Sequence, residues 1–351
     1  MTVIVTGASG LVGRHVVRAL QRRGTPVISV GRASATADAG AGTSTATASR
    51  GAGSARLAAA SASSAATGES GLPPVHHVEW DIREDAPVDV QALARRATAV
   101  VHCARLSADW GSPDEFHAVN TAGTRRVLDT FAHARIIHLS SAAVYGLHEE
   151  HTHLYEEAGP LEESRYRDPF ARTAALAEAV VTRVHPQALI LRPARIYAPG
   201  EDDGVFESLT RFSRKGVYEL PGGGKISTML AHLDTVVEAV LAGLDRPDVR
   251  GPINVADPQP YVLKQALTTY LARTDHPYQP LDERAADLAT GRAWLAQRRV
   301  KTPTAGNRPT HTVTEIAAYT KKRTYSLDRL TRLLGVEPAQ RLAPSPADAE
   351  G

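Results

Sequence analysis

Apolar and polar positions along this chain follow two different periods. Val3, Ile4 and Val5 form an unbroken apolar run within residues 2–6, which predicts a short buried strand. A glycine-rich stretch follows at 7–13. From 12 to 23 the apolar residues Val12, Val16, Val17 and Leu20 recur at helical spacing, and Gly24 ends the pattern. Residues 26–30 read as a second strand, closing a βαβ half-unit. Strand patterns return at 75–81, 99–104, 136–140 and 188–192, with helical patterns over 114–133 and 170–183. Strands alternating with helices predict an α/β fold with a doubly wound parallel sheet. Beyond Pro199 the pattern is mixed, with helices expected near 234–245, 263–272 and 283–298. A Pro/Thr/Gly/Asn-rich loop follows at 302–311, then a short last helix at 325–334. There is no internal repeat.

Residues 33–71 break the pattern. They are almost wholly Ala, Ser, Thr and Gly, with Leu57 the one large apolar side chain. Such a segment buries too little surface to offset its ordering entropy, so a disordered insertion is expected there. The whole chain has 351 residues, 42% of them hydrophobic, enough for a sizeable core. Lys and Arg number 40 against 38 Asp and Glu, a net charge of +2. That balance argues against nucleic-acid or polybasic membrane partners, both of which need clustered positive charge. The single cysteine, Cys103, forms neither an internal disulfide nor a paired metal motif. Together with the lack of a membrane-length apolar run and a strand pattern that begins at once, it leads us to expect a cytoplasmic protein without a signal peptide.

The run Thr6-Gly7-Ala8-Ser9-Gly10-Leu11-Val12-Gly13 lies between the first strand and the first helix. In that context glycines at 7, 10 and 13 suit a tight turn, close approach of a pyrophosphate and close helix–strand packing, with helix N–H groups facing the phosphates. Gly7, Ser9, Gly10, Leu11, Val12 and Gly13 are therefore candidate cofactor-binding residues. The second strand ends in Gly31-Arg32. An acidic residue there would hold the ribose 2′-OH of NAD, whereas Arg32 suits a 2′-phosphate and hence NADP(H). Arg14 is a second cation nearby; two solvated arginines are the alternative.

These motifs, with others in the same order, resemble the extended short-chain dehydrogenase/reductase family, in its epimerase/dehydratase and 3β-hydroxysteroid-dehydrogenase-like branches. The resemblance covers nearly the whole chain outside 33–71. It implies a Rossmann-type sheet with a smaller C-terminal substrate-binding region. The expected layout is a cofactor domain over 1–200, a mixed substrate region over 201–340 and a flexible tail over 341–351. Asp81-Ile82 resembles the pair that contacts adenine. Val101-His102-Cys103-Ala104, continuing into Arg105, resembles the strand end that lines the cofactor. Asp109-Trp110-Gly111, the Asn120-Thr121-Ala122-Gly123-Thr124 helix motif and the Ser140-Ser141-Ala142-Ala143-Val144-Tyr145-Gly146 serine motif follow. Leu191 to Gly200 resembles the segment touching nicotinamide, with Pro193 and Ile196 as contacts. His232-Leu233-Asp234 and Asn254-Val255-Ala256-Asp257 fit the later pattern. The resemblance further implies a small-molecule substrate and a homodimer through helices 114–133 and 170–183.

One departure is chemically decisive. The family places a tyrosine, and a lysine four residues later, on the helix that here begins Pro169-Phe170-Ala171-Arg172-Thr173-Ala174. Phe170 has no exchangeable proton, and Ala174 has no charge. Ser141 remains as a candidate catalytic residue, and Tyr166, four residues before Phe170, is a second. The loss removes acid–base help of about 10²–10⁴ in rate. Hydride transfer survives such a loss if the carbonyl is positioned and polarised. Three functions stay open: an atypical NADP(H)-dependent, ketoreductase-like oxidoreductase in specialised metabolism, a non-redox cyclase, lyase or isomerase, and a nucleotide-binding pseudoenzyme. His148, His151 and His153 have a metal-like spacing, but no Cys or carboxylate pattern joins them. They read as solvated loop residues, and no metal is expected. Cys103 reads as packing. Tyr197, Arg211, Tyr218 and His232 are pocket candidates, each with ordinary packing or surface exposure as the competing reading.

Overall fold

The structure, a computed structural model, describes residues 1–32, 72, 74–199, 205–210, 213–214, 217–218, 220–273, 283–300 and 302–342. The expected insertion at 33–71, Arg211 and most of the expected tail lie outside the described residues. Seven strands form one sheet: β1 (Val3–Thr6), β2 (Val27–Gly31), β3 (His76–Glu79), β4 (Ala99–His102), β5 (Arg135–Leu139), β6 (Leu189–Pro193) and β7 (Gly251–Val255). Their order across the sheet is β3-β2-β1-β4-β5-β6-β7. Every pairing is parallel. The order reverses between β1 and β4, and a doubly wound sheet opens its ligand crevice at the strand C-termini of such a switch point.

Val3, Ile4, Val5, Val100, Val101, Ile137 and Leu189 are fully buried, as strands covered on both faces require. On one face pack α1 (Leu11–Arg22) and, from the far end of the sequence, the helix Leu233–Asp245, through Val16, Leu20, Val236 and Val240. On the other pack α2 (Val88–Ala94), α3 (Pro113–Phe116), a π-helical turn His117–Gly123, α4 (Thr124–Thr130) and α5 (Pro169–Val184). Val90, Val127, Leu128, Val180 and Val181 hold that layer to Ile4, Val100 and Ile136.

The boundary expected at residue 200 is only partly what the fold shows. Gly251–Val255 and Leu233–Asp245 return to the cofactor sheet, because the apolar faces of Ile253, Val255, Val236 and Val240 cover its β6 edge. The remaining C-terminal chain forms a separate core of Tyr197, Phe206, Leu220, Leu267, Ile316 and Tyr319. It also forms a small sheet that takes in His151–Leu154, Ser227–Thr228, Tyr261–Val262 and Arg323–Tyr325. The last helix expected at 325–334 is a strand ending at Tyr325 followed by a one-turn helix at Leu330–Leu334. Three short helices, α2, Val205–Thr210 and Val313–Thr320, were not anticipated from the pattern. No helix among the described residues is long and apolar enough to cross a membrane.

Candidate cofactor and active site

The glycine turn occupies the switch point. Gly7 has φ +68°, and a Cβ built on it would stand 2.6 Å from both the amide nitrogen and the Cα of Ala104. The turn thus lies directly on the end of β4, where only glycine fits. A Cβ on Gly13 would meet the Gly7 carbonyl oxygen at 2.2 Å, so α1 also starts in contact with the turn. Gly10 is the N-cap of α1; no side chain caps the helix and no acidic residue occupies its first turn. Its leading amides and positive dipole end therefore remain for an anion. Ser9 and Gly10 are exposed and Leu11 half-buried, while Val12 and Gly13 pack inward. The cradle fits a dinucleotide pyrophosphate.

Arg32 is exposed at the end of β2. Asp81 is taken up by Arg83, whose Nε donates to both carboxylate oxygens at 3.0 Å. That pairing, with a smaller contribution from Arg32, holds the Asp81 carboxyl below its usual range. Ile82 faces inward at 6% exposure, tight against Gly123. Its side chain is thus core.

At the end of β4, Cys103 is buried, and burial pushes its thiol up to about 12, a packing residue with no nucleophilic character at neutral pH. Arg105 turns back beneath the end of β5. Its Nη1 donates to the carbonyls of Leu139, at 3.4 Å, and Ser140, and its guanidinium lies 5.7 Å from the centre of the Phe170 ring. Asn120, expected to touch the cofactor, is buried with its amide fully occupied. It accepts from Leu106 N at 2.7 Å, donates to Leu106 O at 3.0 Å and donates to Thr173 Oγ1 at 2.9 Å. It therefore ties the loop after β4 to α5 and acts on the site through that loop.

Ser141 is half-buried at the end of β5, and its Oγ accepts from Ala143 N at 3.2 Å, which leaves its own proton for another acceptor. Tyr166 is placed differently from a proton donor. Its hydroxyl donates to Val144 O at 2.6 Å and accepts from Leu161 N at 2.8 Å, and burial raises its pKa. It pins the loop before α5 and directs no proton at a substrate. Behind the serines lies a buried polar network. Glu178 accepts from Ser140 Oγ and pairs with Arg192 at 2.6 Å, and Arg192 Nη1 also donates to Tyr145 OH at 2.9 Å and Glu156 O at 2.7 Å.

Pro193 is buried at the end of β6, and Ile196 is half-buried on the next strand, Arg195–Tyr197. Of the pocket candidates, Tyr197 is core: its hydroxyl donates to Asp257, which also accepts from His232 N at 2.9 Å. Tyr218 is buried too, and His232 caps the helix that follows it by accepting from Asp234 N at 3.2 Å. The loop histidines are not uniformly solvated. His151 is buried against Gly146 O because it begins a strand of the small sheet, and His148 is half-buried, whereas His153 is exposed. Among the described residues no three His, Cys, Asp or Glu converge as a metal site. A bridge that the sequence did not reveal joins the two halves of the molecule. Arg308 pairs with Asp109 at 2.8 Å, and Trp110 Nε1 donates to Thr304 O at 3.0 Å. Nothing local in the sequence marks Arg308, because its partner lies far away along the chain.

The sheet order, the glycine turn at its switch point and the serine at the end of β5 define a Rossmann protein of the short-chain dehydrogenase/reductase type. The model of the NAD dependent epimerase/dehydratase family matches residues 3–256, and the chain belongs to that family. It is 25% identical over 248 residues to a 2-alkyl-3-oxoalkanoate reductase from Stenotrophomonas maltophilia. That alignment covers 68% of this chain and 64% of the reductase, so the chain spans less than two thirds of that relative's length. Among solved structures, a UDP-glucuronic acid 4-epimerase from Bacillus cereus in complex with NAD superposes with a TM-score of 0.64 at 16% identity, covering 97% of this chain and 95% of the epimerase. RMD from Pseudomonas aeruginosa, complexed with NADPH, superposes with a TM-score of 0.58 at 18% identity, covering 99% and 98%. Identities this low speak to the fold alone.

Proposed function

We propose that this protein is an NADP(H)-dependent, ketoreductase-like oxidoreductase that works on a specialised small molecule without a tyrosine–lysine proton relay. The observation that carries the reading is the uncapped start of α1 under Gly7 and Gly10, set against a serine-bearing wall where Phe170 and Ala174 stand at the positions to which the resemblance assigns the relay. The choice of NADP(H) rests on Arg32: it is exposed at the end of β2, and Asp81 is hydrogen-bonded to Arg83 rather than to Arg32, so the Arg32 guanidinium keeps its donors for a 2′-phosphate.

The nicotinamide ring, when bound, supplies or accepts the hydride. The remaining work falls to the chain. The first-turn amides of α1 hold the pyrophosphate, and Gly7 lets them approach. Ser141 presents its O–H to the substrate oxygen, fixed by its bond from Ala143 N. Phe170 keeps water from the reacting face, and proton supply passes to the substrate's own hydroxyls or to solvent. A small-molecule substrate, a cytoplasmic setting and a homodimer through α3–α4 and α5 belong to the same proposal; sedimentation velocity tests the last.

The test is oxidation of NADPH, followed at its absorbance band, with a panel of β-keto esters, acyl ketones and cyclic ketones. The reading expects turnover of at least one ketone and a loss of about 10²-fold or more in Ser141→Ala. Tight NADPH binding with no turnover on any ketone would favour a nucleotide-binding partner protein. Product formation without cofactor would favour a non-redox enzyme.

A further inference from the structure

Arg105 follows the strand end that lines the cofactor, and the proton and hydride steps proposed above make no use of its guanidinium. It is held from three directions. Its Nη1 is spent on the Leu139 and Ser140 carbonyls, its guanidinium faces the Phe170 ring, and the backbone of the next residue, Leu106, is clamped on both N–H and C=O by Asn120. Asn120 in turn reaches Thr173, which lies on α5 between Phe170 and Ala174. Among the described residues no carboxylate lies within ion-pair distance of Arg105, and neither its Nε nor its Nη2 has an acceptor. A half-buried guanidinium fixed this firmly, with donors to spare and no counter-charge, is a binding group waiting for acceptors. Arg105 is also the neighbour of Ala104, on which the Gly7 turn rests, so it stands one residue from the cradle at the inner, serine side of the crevice.

We propose that Arg105 is the residue that anchors the nicotinamide-ribose half of the dinucleotide. Its spare N–H groups donate to the vicinal hydroxyls of that ribose, taking over from β4 the hold that Ala174 cannot provide from α5. The cation has moved across the crevice while the place it serves is unchanged, and Phe170 supplies a flat apolar face that keeps the guanidinium in register. This assignment rests on the dinucleotide reading above.

The experiment compares two probes on one protein. NADPH carries both halves of the dinucleotide, and 2′,5′-ADP carries only the adenosine half; NADH and ADP serve as a parallel pair. Dissociation constants are measured by calorimetry for wild type, Arg105→Met, and Arg105→Met with Ala174→Lys. The proposal expects Arg105→Met to weaken NADPH at least tenfold and to leave 2′,5′-ADP within twofold, which also shows that the variant is folded. Adding Ala174→Lys should recover most of the lost NADPH affinity. Equal weakening of both probes, or no weakening of NADPH, overturns the assignment while the dinucleotide reading stands. A wild-type protein that binds neither dinucleotide nor either adenosine fragment overturns both.

Discussion

Glu178→Gln removes one charge from the centre of the molecule and tests whether the wall of the site is electrostatically built. Glu178 and Arg192 are 3% and 2% exposed and meet at 2.6 Å. Glu178 also receives Ser140 Oγ and Arg192 Nε, the latter at 2.9 Å, so one carboxylate fixes both the β5 terminus and β6. Glutamine keeps one acceptor oxygen but leaves the Arg192 guanidinium without a counter-charge in a dry setting. Breaking a buried pair from one side costs about 3–5 kcal/mol, far more than the 0–1 kcal/mol typical of exposed pairs. Urea unfolding at pH 7.5 should show a stability loss of that size, and thermal unfolding a Tm lower by roughly 4–7 °C. Arg192→Met should be comparably damaging, because it leaves Glu178 as an unpaired buried carboxylate and removes the donors to Tyr145 OH and to the Glu156 and Gly159 carbonyls. The double variant should then show a coupling of at least about 2 kcal/mol. The effect should also reach the site, since Ser140 supplies the carbonyl that holds Arg105, and NADPH affinity should fall several-fold. A Glu178→Gln protein within about 1 kcal/mol of wild type, or a coupling near zero, would refute the reasoning.

Three further outcomes follow from single groups. Arg32→Ala should weaken NADPH by about 10–100-fold in calorimetry and leave NADH unchanged, because only a 2′-phosphate would use that cation; parallel losses for both nucleotides would count against NADP(H). Asp168 caps α5 by accepting from Ala171 N at 2.7 Å, yet burial raises its carboxyl to about 6 from 3.8. Between those values the folded carboxyl keeps a proton that the unfolded chain has lost. Its contribution to stability therefore falls by about 2 kcal/mol as pH rises from 4 to 6 and is flat above about pH 7. Asp168→Asn, which caps equally well, should lack that component, so its stability relative to wild type should be greater at pH 7.5 than at 4.5; parallel pH curves would contradict this. Finally, native Cys103 should resist a disulfide-exchange reagent at pH 8 and react at once in denaturant, given a thiol raised to about 12; rapid labelling of the native protein would show an opening that burial does not suggest.

The cofactor half was legible because its signals are local. An apolar run at 3–5, glycines at 7, 10 and 13, and a helical stripe at 12, 16, 17 and 20 specify strand, turn and helix from adjacent residues. Phe170 and Ala174 were read at the relay positions from the register that the resemblance implies. What escaped the sequence was long-range. Nothing near Arg105 shows that it lies beside Phe170, and Arg308 finds Asp109 only in the folded chain. Tyr166 stood as a second catalytic candidate reaching in from the loop, whereas its hydroxyl is committed to Val144 and Leu161. Asn120 looked like a ligand contact, and its amide is consumed by Leu106 and Thr173. In both cases the residue type was informative, but its hydrogen-bond partner decided its role. The return of Gly251–Val255 to the sheet was missed because an edge strand of five residues carries too little periodicity to announce its partner.

The account stands or falls on whether a nicotinamide dinucleotide sits in the turn at 7–13, and isothermal titration of the purified chain with NADPH, beside Gly13→Ala, measures that directly. A methyl at 13 would collide with the Gly7 carbonyl oxygen at 2.2 Å and push α1 off its turn. The account predicts micromolar or tighter one-to-one binding to the wild-type chain and at least tenfold weaker binding to the variant. Equal affinity in the two proteins would place the nucleotide elsewhere, and no heat of binding with NADPH or NADH in the wild type would contradict the central claim.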